Sequence, residues 1–406
     1  MSASRPEFVK LTGHENFTQR LVLSTLTGRP LHISKIRPNS PTSPGLAPHE
    51  VSFLRLLEAV TNGSSMQISY TGTTITYQPG LITGAVPGYG TSDGDLLQHN
   101  IPATCTRGIT YFLLPLCILA PFSKAHMNVR FSGPGVITSA TETGDLSIDS
   151  FRTAILPIYQ LFGIPALRIE VRVLQRSCTG QRGNGGAGIV ELRFGSQVRL
   201  PKTLHLHRNP GRIKRIRGVA YATGVSASNN ARMIHSAREI LNTFCSDIHV
   251  AAQYDQAPLV ADPADKAGGK KRMGIGFGLS LVAESNVPGV IFSADMVVPS
   301  KGGVVPEEIG KLCAYQLLES INAGGCVSRA AAGTILTLMA MGSEDVGRLR
   351  LGRDIIGSEE VIELARDLKK FGASTWGIRD IDEEETDDII VSIKGTGMGN
   401  VSRKVA

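Results

Sequence analysis

A chain of 406 residues with 42% hydrophobic content is too long for one ordinary core and suits two or three packed units. Its longest apolar run, "GITYFLLPLCILAPF" from Gly108 to Phe122, is shorter than the roughly 20 residues a membrane crossing needs and is broken by Pro115; this excludes a membrane span and predicts buried strand or core helix. The formal charge of +7 hides a division, because "DIDEEETDD", Asp380 to Asp388, holds seven acidic residues and no basic one, which leaves the rest markedly basic.

Taken in chain order, "MSASRPEFVKLTG" lacks the apolar stretch of a secretory signal, so a reducing compartment is expected. The six cysteines, Cys105, Cys117, Cys178, Cys245, Cys313 and Cys326, fit that expectation: they are scattered without a CxxC pair, and neither a disulfide framework nor a thiolate zinc site is indicated. From Glu50 to Gly80 an apolar helix runs to about Val60, Asn62-Gly63 stops it, and "SMQISY" and "TTITYQ" alternate as a hairpin around Thr71-Gly72. The same order recurs in "FRTAILPIYQLFGIPALRIEVRVLQR" followed by "GIVELRFG", with a longer glycine-rich connection. A third copy is expected to open with the amphipathic helix "EEIGKLCAYQLLESINAGG", Glu307 to Gly325. Three similar units around a shared centre follow from this pattern.

Between the second and third copies, about 196 to 284, lies different material, read as a small inserted α/β domain. It has a strand "IRGVAYAT", a helix "SNNARMIHSAREILNTF" expected to be capped by Ser228, a strand "DIHVAAQY", and a polar loop from Asp262 to Gly274 expected to be mobile. "GNGGAG" at Gly183, Gly185 and Gly188 matches a dinucleotide loop, but a strand follows instead of a helix, so a flexible hairpin connection is preferred. His205 and His207 alternate on one strand face without a nearby acid or thiolate to complete a metal site. From Leu192 to Arg238 there is no Asp or Glu, while Arg208, Arg212, Lys214, Arg215 and Arg217 crowd together; a solvated basic face is the bland account and a polyanion contact the sharper one. If Arg212, Lys214, Arg215 and Arg217 each met a phosphate of single-stranded RNA, affinity would fall with salt at a log–log slope of roughly −3. Near the end, "ARDLKKFG" brings Arg366, Asp367 and Lys369 together as candidates for phosphodiester cleavage, although cations at a helix C-terminus explain the same residues without chemistry.

Several stretches together resemble the RNA 3'-terminal phosphate cyclases, and specifically their nucleolar cyclase-like relatives: "LTGHENFTQRLVLSTLTGRPLHISKIR", "SPGLAPHEVSFLRLLEAVTNGS", "SYTGTTITYQPG", "RIRGVAYAT", "DVGRLRLGR" and "IVSIKGTGMGNVSRK". The resemblance implies an α/β (α+β) fold: a large domain of three βαβαββ-type units, residues 1–195 and 285–406, with a small α/β domain inserted over 196–284. Active cyclases carry a histidine before "QLL" that becomes adenylylated; here that position is Leu312, which has no lone pair, so no cyclase step is expected. Asn16, Phe17 and Thr18 stand where active members have a glycine triplet before a glutamine, here Gln19 after Glu15, and the second glycine-rich signature survives only as Arg182, Gly183, Gly188 and Glu191. No metal or cofactor is therefore expected. The implied setting is the nucleolus of the nucleus. There the chain, itself a monomer, would join the small-subunit processome with its small nucleolar ribonucleoprotein, bind a ribosome-assembly GTPase and pre-ribosomal RNA, and support cleavage of the precursor of 18S RNA. The alternative function is an RNA endonuclease acting through Arg366, Asp367 and Lys369.

Overall fold

The computed structural model describes residues 7–86, 92–93 (backbone only), 95–180, 183, 185–195, 201–261, 269–381 and 386–397. The expected α/β architecture is present as three sheets of four, five and four strands that share one four-strand wiring, with no helix among the described residues long and apolar enough to cross a membrane. In the first, parallel strands Val9–Thr12 and Leu31–Ser34 are joined by the helix Phe17–Thr27. The helix Pro48–Ala59 then leads to the hairpin Ser65–Ile68 and Ile75–Gln78, whose second strand returns to pair with Leu31–Ser34. Gly72 at φ +69° makes the turn, in the left-handed region that glycine adopts without steric cost. Alternate residues such as Ile75 and Tyr77 are buried under the helices, leaving the other face of the sheet open.

The second unit repeats this order with Leu96–Asn100, the helix Thr110–Leu119, Met127–Ser132, and the hairpin Ile169–Gln175 and Ile189–Phe194. The apolar run thus forms a core helix that tolerates Pro115 and packs against both Phe17–Thr27 and Arg329–Met341. Because helices of all three units meet there, its surface is apolar nearly all round. The unit's other helical run is irregular, a π-turn at Phe151–Ile155 passing into a 3₁₀ stretch Leu156–Phe162, where Pro157 removes an amide donor.

The third unit differs from the sequence expectation. Its first strand is the two-residue His205–Leu206, parallel to Val346–Gly352, and its helices are Arg329–Met341 and Glu359–Lys370. Asp388–Lys394 and Gly377–Asp380 complete the sheet. The helix Pro306–Asn322, expected to open this unit, belongs elsewhere. It packs with Ser228–Leu241 on a separate sheet ordered Ile248–Asp255, Ile213–Thr223, Gly276–Ser285, Ile291–Val297. The strands and helices of the insert therefore run from 213 to 322 and pass the expected limit at 284. Ser228 begins its helix without capping it: Ala227 is the N-cap, and the Ser226 hydroxyl accepts the Ser228 amide at 3.3 Å. Within the loop expected to be mobile, Lys270–Arg272 pairs with Leu259–Ala261, while 262–268 lie outside the described residues.

Polar contacts fasten the insert to the second unit. The buried Asp295 carboxylate accepts the Ser147 amide and the hydroxyls of Ser147 and Ser150 at 2.8–2.9 Å, and Ser147 also meets Ser280 at 2.7 Å. Nearby, the Arg176 amide donates to Asp255, Gln175 Nε2 to the Gln256 carbonyl, and the Cys178 amide to the Gly274 carbonyl.

The first and second units meet through His99, whose Nε2 lies 3.0 Å from the Ser52 hydroxyl. Burial, reinforced by the Arg55 cation, pulls His99 down to about 4 from 6.5, and burial does the same to His49. The folded value lies below the unfolded one, so this stability is complete above about pH 6.5 and is lost as pH falls towards about 4. For His99 the loss is on the order of 3 kcal/mol. Urea midpoints at pH 7 and pH 4.5 should drop less for His99→Gln than for the unaltered chain; equal drops would remove His99 from the acid sensitivity.

Candidate functional site

The helix Pro306–Asn322 starts with Pro306 in its first turn and buries Ile309, Gly310, Cys313, Ala314 and Leu317. Gly310 allows the close approach to Ser228–Leu241, since a Cβ there would lie 2.3 Å from the Met233 carbonyl oxygen. Arg232 and Glu307 tie the two helices by a bidentate pair at 2.6 and 2.7 Å. On the opposite side Leu312 and Tyr315 are 40% and 57% exposed, so an apolar side chain faces solvent at the position that the resemblance assigns to the cyclase nucleophile. The neighbouring thiol offers no substitute. Cys313 is buried, donates to the Leu279 carbonyl at 3.3 Å, and burial pushes its ionisation well above the usual thiol range.

At the other motif, Asn16 takes the left-handed conformation, φ +54°, where a glycine would sit without cost, and gives the helix Phe17–Thr27 no side-chain cap. Phe17 is buried, while Glu15 is exposed and Gln19 Nε2 is enclosed without a hydrogen-bond partner. Two arginine–carboxylate pairs nearby in the fold went unread in the sequence. Arg37 grips Glu50 through both nitrogens at 2.6 and 2.8 Å, and Arg107 grips Asp145 while stacking 4.5 Å over Tyr111. Their partners stand 13 and 38 residues apart, and no local pattern announces them.

The candidate cleavage residues are not brought together. Asp367 turns into the core, where its Oδ2 accepts Arg20 Nε at 2.8 Å and both side chains are almost sealed from solvent. Arg366 turns outward to Glu363 at 2.5 Å, and Lys369 is exposed. A carboxylate held this way cannot reach a phosphodiester in solution, because water and substrate are excluded from it.

The family model described as RNA 3'-terminal phosphate cyclase matches residues 9–376. The chain is 36% identical over 408 residues to the rRNA processing protein RCL1 of Saccharomyces cerevisiae, covering 100% of both. It is 36% identical over 409 residues to the RNA 3'-terminal phosphate cyclase-like protein of Homo sapiens and 34% identical over 402 residues to the rRNA processing protein rcl1 of Schizosaccharomyces pombe, in each case over 99% of both chains. This chain belongs to the RNA 3'-terminal phosphate cyclase family.

In this cyclase-family chain the second glycine-rich loop is used for packing. Gly183 and Gly185 have positive φ, and the amides of Gly186 and Gly188 donate to the carbonyls of Pro134 and Val136. Residues 181, 182 and 184, and with them Arg182, lie outside the described residues. What surrounds Gly186 and Gly188 is Ser177, Thr138 and neighbouring backbone, so the loop is packed at those two glycines, whereas Gly183 has open space around it.

The basic strand is divided. Arg215 pairs with Glu284 at 2.6 Å, and Arg217 holds Asp247 in two bonds at 2.8 and 2.9 Å. Arg208, Arg212 and Lys214 are exposed, with no ion-pair partner among the described residues. Two carboxylates distant in sequence, Glu284 on the neighbouring strand and Asp247 just ahead of another, thus balance part of a stretch that is purely basic in sequence. If Arg212 and Lys214 are the phosphate contacts, Arg212→Ala with Lys214→Ala should flatten the salt slope for single-stranded RNA by about 1.4. A flattening of about 3 when Arg212, Lys214, Arg215 and Arg217 are all changed to alanine would show that Arg215 and Arg217 abandon their acids for RNA. His205 and His207 stand with ring centroids 6.2 Å apart, and no metal-binding group occurs among the described residues.

Proposed function

We propose that the chain is a non-catalytic member of its family that serves ribosome biogenesis. In this reading it works in the nucleus and nucleolus as a monomer within the small-subunit processome, binding a ribosome-assembly GTPase and pre-ribosomal RNA beside the small nucleolar ribonucleoprotein and supporting early processing toward 18S RNA. The observation that carries it is full-length similarity to proteins named for rRNA processing, joined to an exposed leucine where catalysis would need a nucleophile. Cleavage by Arg366, Asp367 and Lys369 is the weaker reading, because the carboxylate it needs is spent on Arg20.

A tagged copy recovered from nuclei of its own cells should carry unprocessed precursor of 18S RNA and a GTP-hydrolysing partner. Recovery of neither overturns the proposal. Precise cutting of a precursor by the purified chain, abolished in Arg366→Ala or Lys369→Ala, would restore the endonuclease.

A further inference from the structure

The open faces of the second and third sheets differ in charge balance. On the second, the arginines are matched: Arg130 and Arg193 share Glu191, and Arg172 pairs with Glu170. On the third, Leu349 and Leu351 are buried towards the helices, so Arg348 projects to the other side and is exposed there, while Arg350 and Ile390 on that side are buried. The register sets His205 opposite Arg348, and sets Arg350 and Arg379 opposite Ile390, with Lys394 opposite Val346. Among the described residues only Arg350 has its acid here, Asp388 at 2.6 Å. Arg208, Arg348, Arg379 and Lys394 are exposed, with no ion pair among the described residues.

His207 reports the field of this face. Its Nδ1 is enclosed without a partner, and after burial the causes that push its proton affinity down are Arg348, His205, Arg208 and Arg379. In the described part of the acidic run, Asp380 is held by Arg353 and Asp388 by Arg350, and Asp387 alone of the three is exposed without an ion pair among the described residues.

We infer that the open face of the third sheet, through Arg348, Arg379, Arg208 and Lys394, binds the phosphodiester backbone of RNA. The cations are spread across strands spaced about 5 Å apart, which suits a chain of phosphates more than one small anion. Arginine forks match phosphate oxygens, and contacts of this type fix position without reading bases. The inference rests on the RNA-binding part of the reading above and adds a second surface to it, distinct from the basic strand.

Fluorescence anisotropy with a single-stranded 20-nucleotide RNA, between 50 and 200 mM KCl, tests it. Arg348→Ala with Arg379→Ala should flatten the log–log salt slope by about 1.4, one contact of about 0.7 for each arginine. Arg348→Lys with Arg379→Lys should keep the slope, and thermal melts should show both variants folded. An unchanged slope in the alanine pair, with flattening in Arg212→Ala and Lys214→Ala, removes this face while leaving the RNA reading intact. An unaltered chain that does not bind RNA removes both. A polyglutamate peptide that binds in place of RNA, and is lost in the alanine pair, makes the face a protein-docking surface and overturns the inference. Recovery of the GTPase and precursor from cells is read separately, so failure there is not mistaken for failure here.

Discussion

ATP labelled on its α-phosphate will leave no acid-labile AMP on this chain and transfer none to RNA ending in a 3'-phosphate. The position assigned to the adenylylated histidine is Leu312, and loss of a covalent nucleophile costs on the order of a million-fold where it has been measured in other enzymes. Leu312→His should stay unlabelled as well. The side chain would stand at an accessible place, but the glycine triplet that would let a nucleotide approach is replaced by Asn16, the buried Phe17 and Thr18. Labelling of Leu312→His alone would mean that the nucleotide pocket outlived the nucleophile; labelling of the unaltered chain would end the non-catalytic reading.

Asp367→Ala will lower unfolding stability by about 3–5 kcal/mol, because it strands the Arg20 guanidinium in a dry interior. Arg20 Nη1 keeps only the Thr12 carbonyl at 2.9 Å. The pair also joins the first unit to the third, beside Arg29 Nη1 bonded to the Lys370 carbonyl, so the loss should be global. Arg20→Met with Asp367→Leu should recover most of it, since a buried ion pair is often replaceable by apolar side chains of similar volume. Urea titration decides: a change below 1 kcal/mol in Asp367→Ala would mean that water reaches the pair. The result also governs how cleavage assays are read. Lost activity in Asp367→Ala reports lost fold, whereas Arg366 and Lys369, both exposed, test chemistry without that confusion.

Local pattern made some elements legible and left others hidden. The hairpin Ser65–Ile68 with Ile75–Gln78 was readable because alternation and Thr71-Gly72 act within a few residues. The apolar run was readable as core for the same reason. The third unit was not, because its first strand is two residues long and its helix Arg329–Met341 is separated from it by the insert. Periodicity gives Pro306–Asn322 as a helix but misplaces its buried face, since Leu312 and Tyr315, which recur at helical spacing, are exposed while Ile309, Cys313 and Leu317 are buried, and it does not say which sheet receives them. The acids opposite Arg215 and Arg217 come from Glu284 and Asp247, which no linear window around the strand includes. Asp367 could have been placed inside: it falls in the stripe of Val361, Leu364 and Leu368, on the apolar side of its helix.

The clasp of Asp295, Ser147, Ser150 and Ser280 has a mechanical meaning. Swinging the insert away from the second unit would break several hydrogen bonds together, and at about 1 kcal/mol net for each, an open arrangement would hold on the order of one molecule in a thousand or fewer. The helix bearing Leu312 thus sits at the end of a stiff strut, not on a lid. Under the function proposed above, switching that accompanies nucleotide turnover would be generated by the GTPase partner, with this chain as the fixed body it moves against.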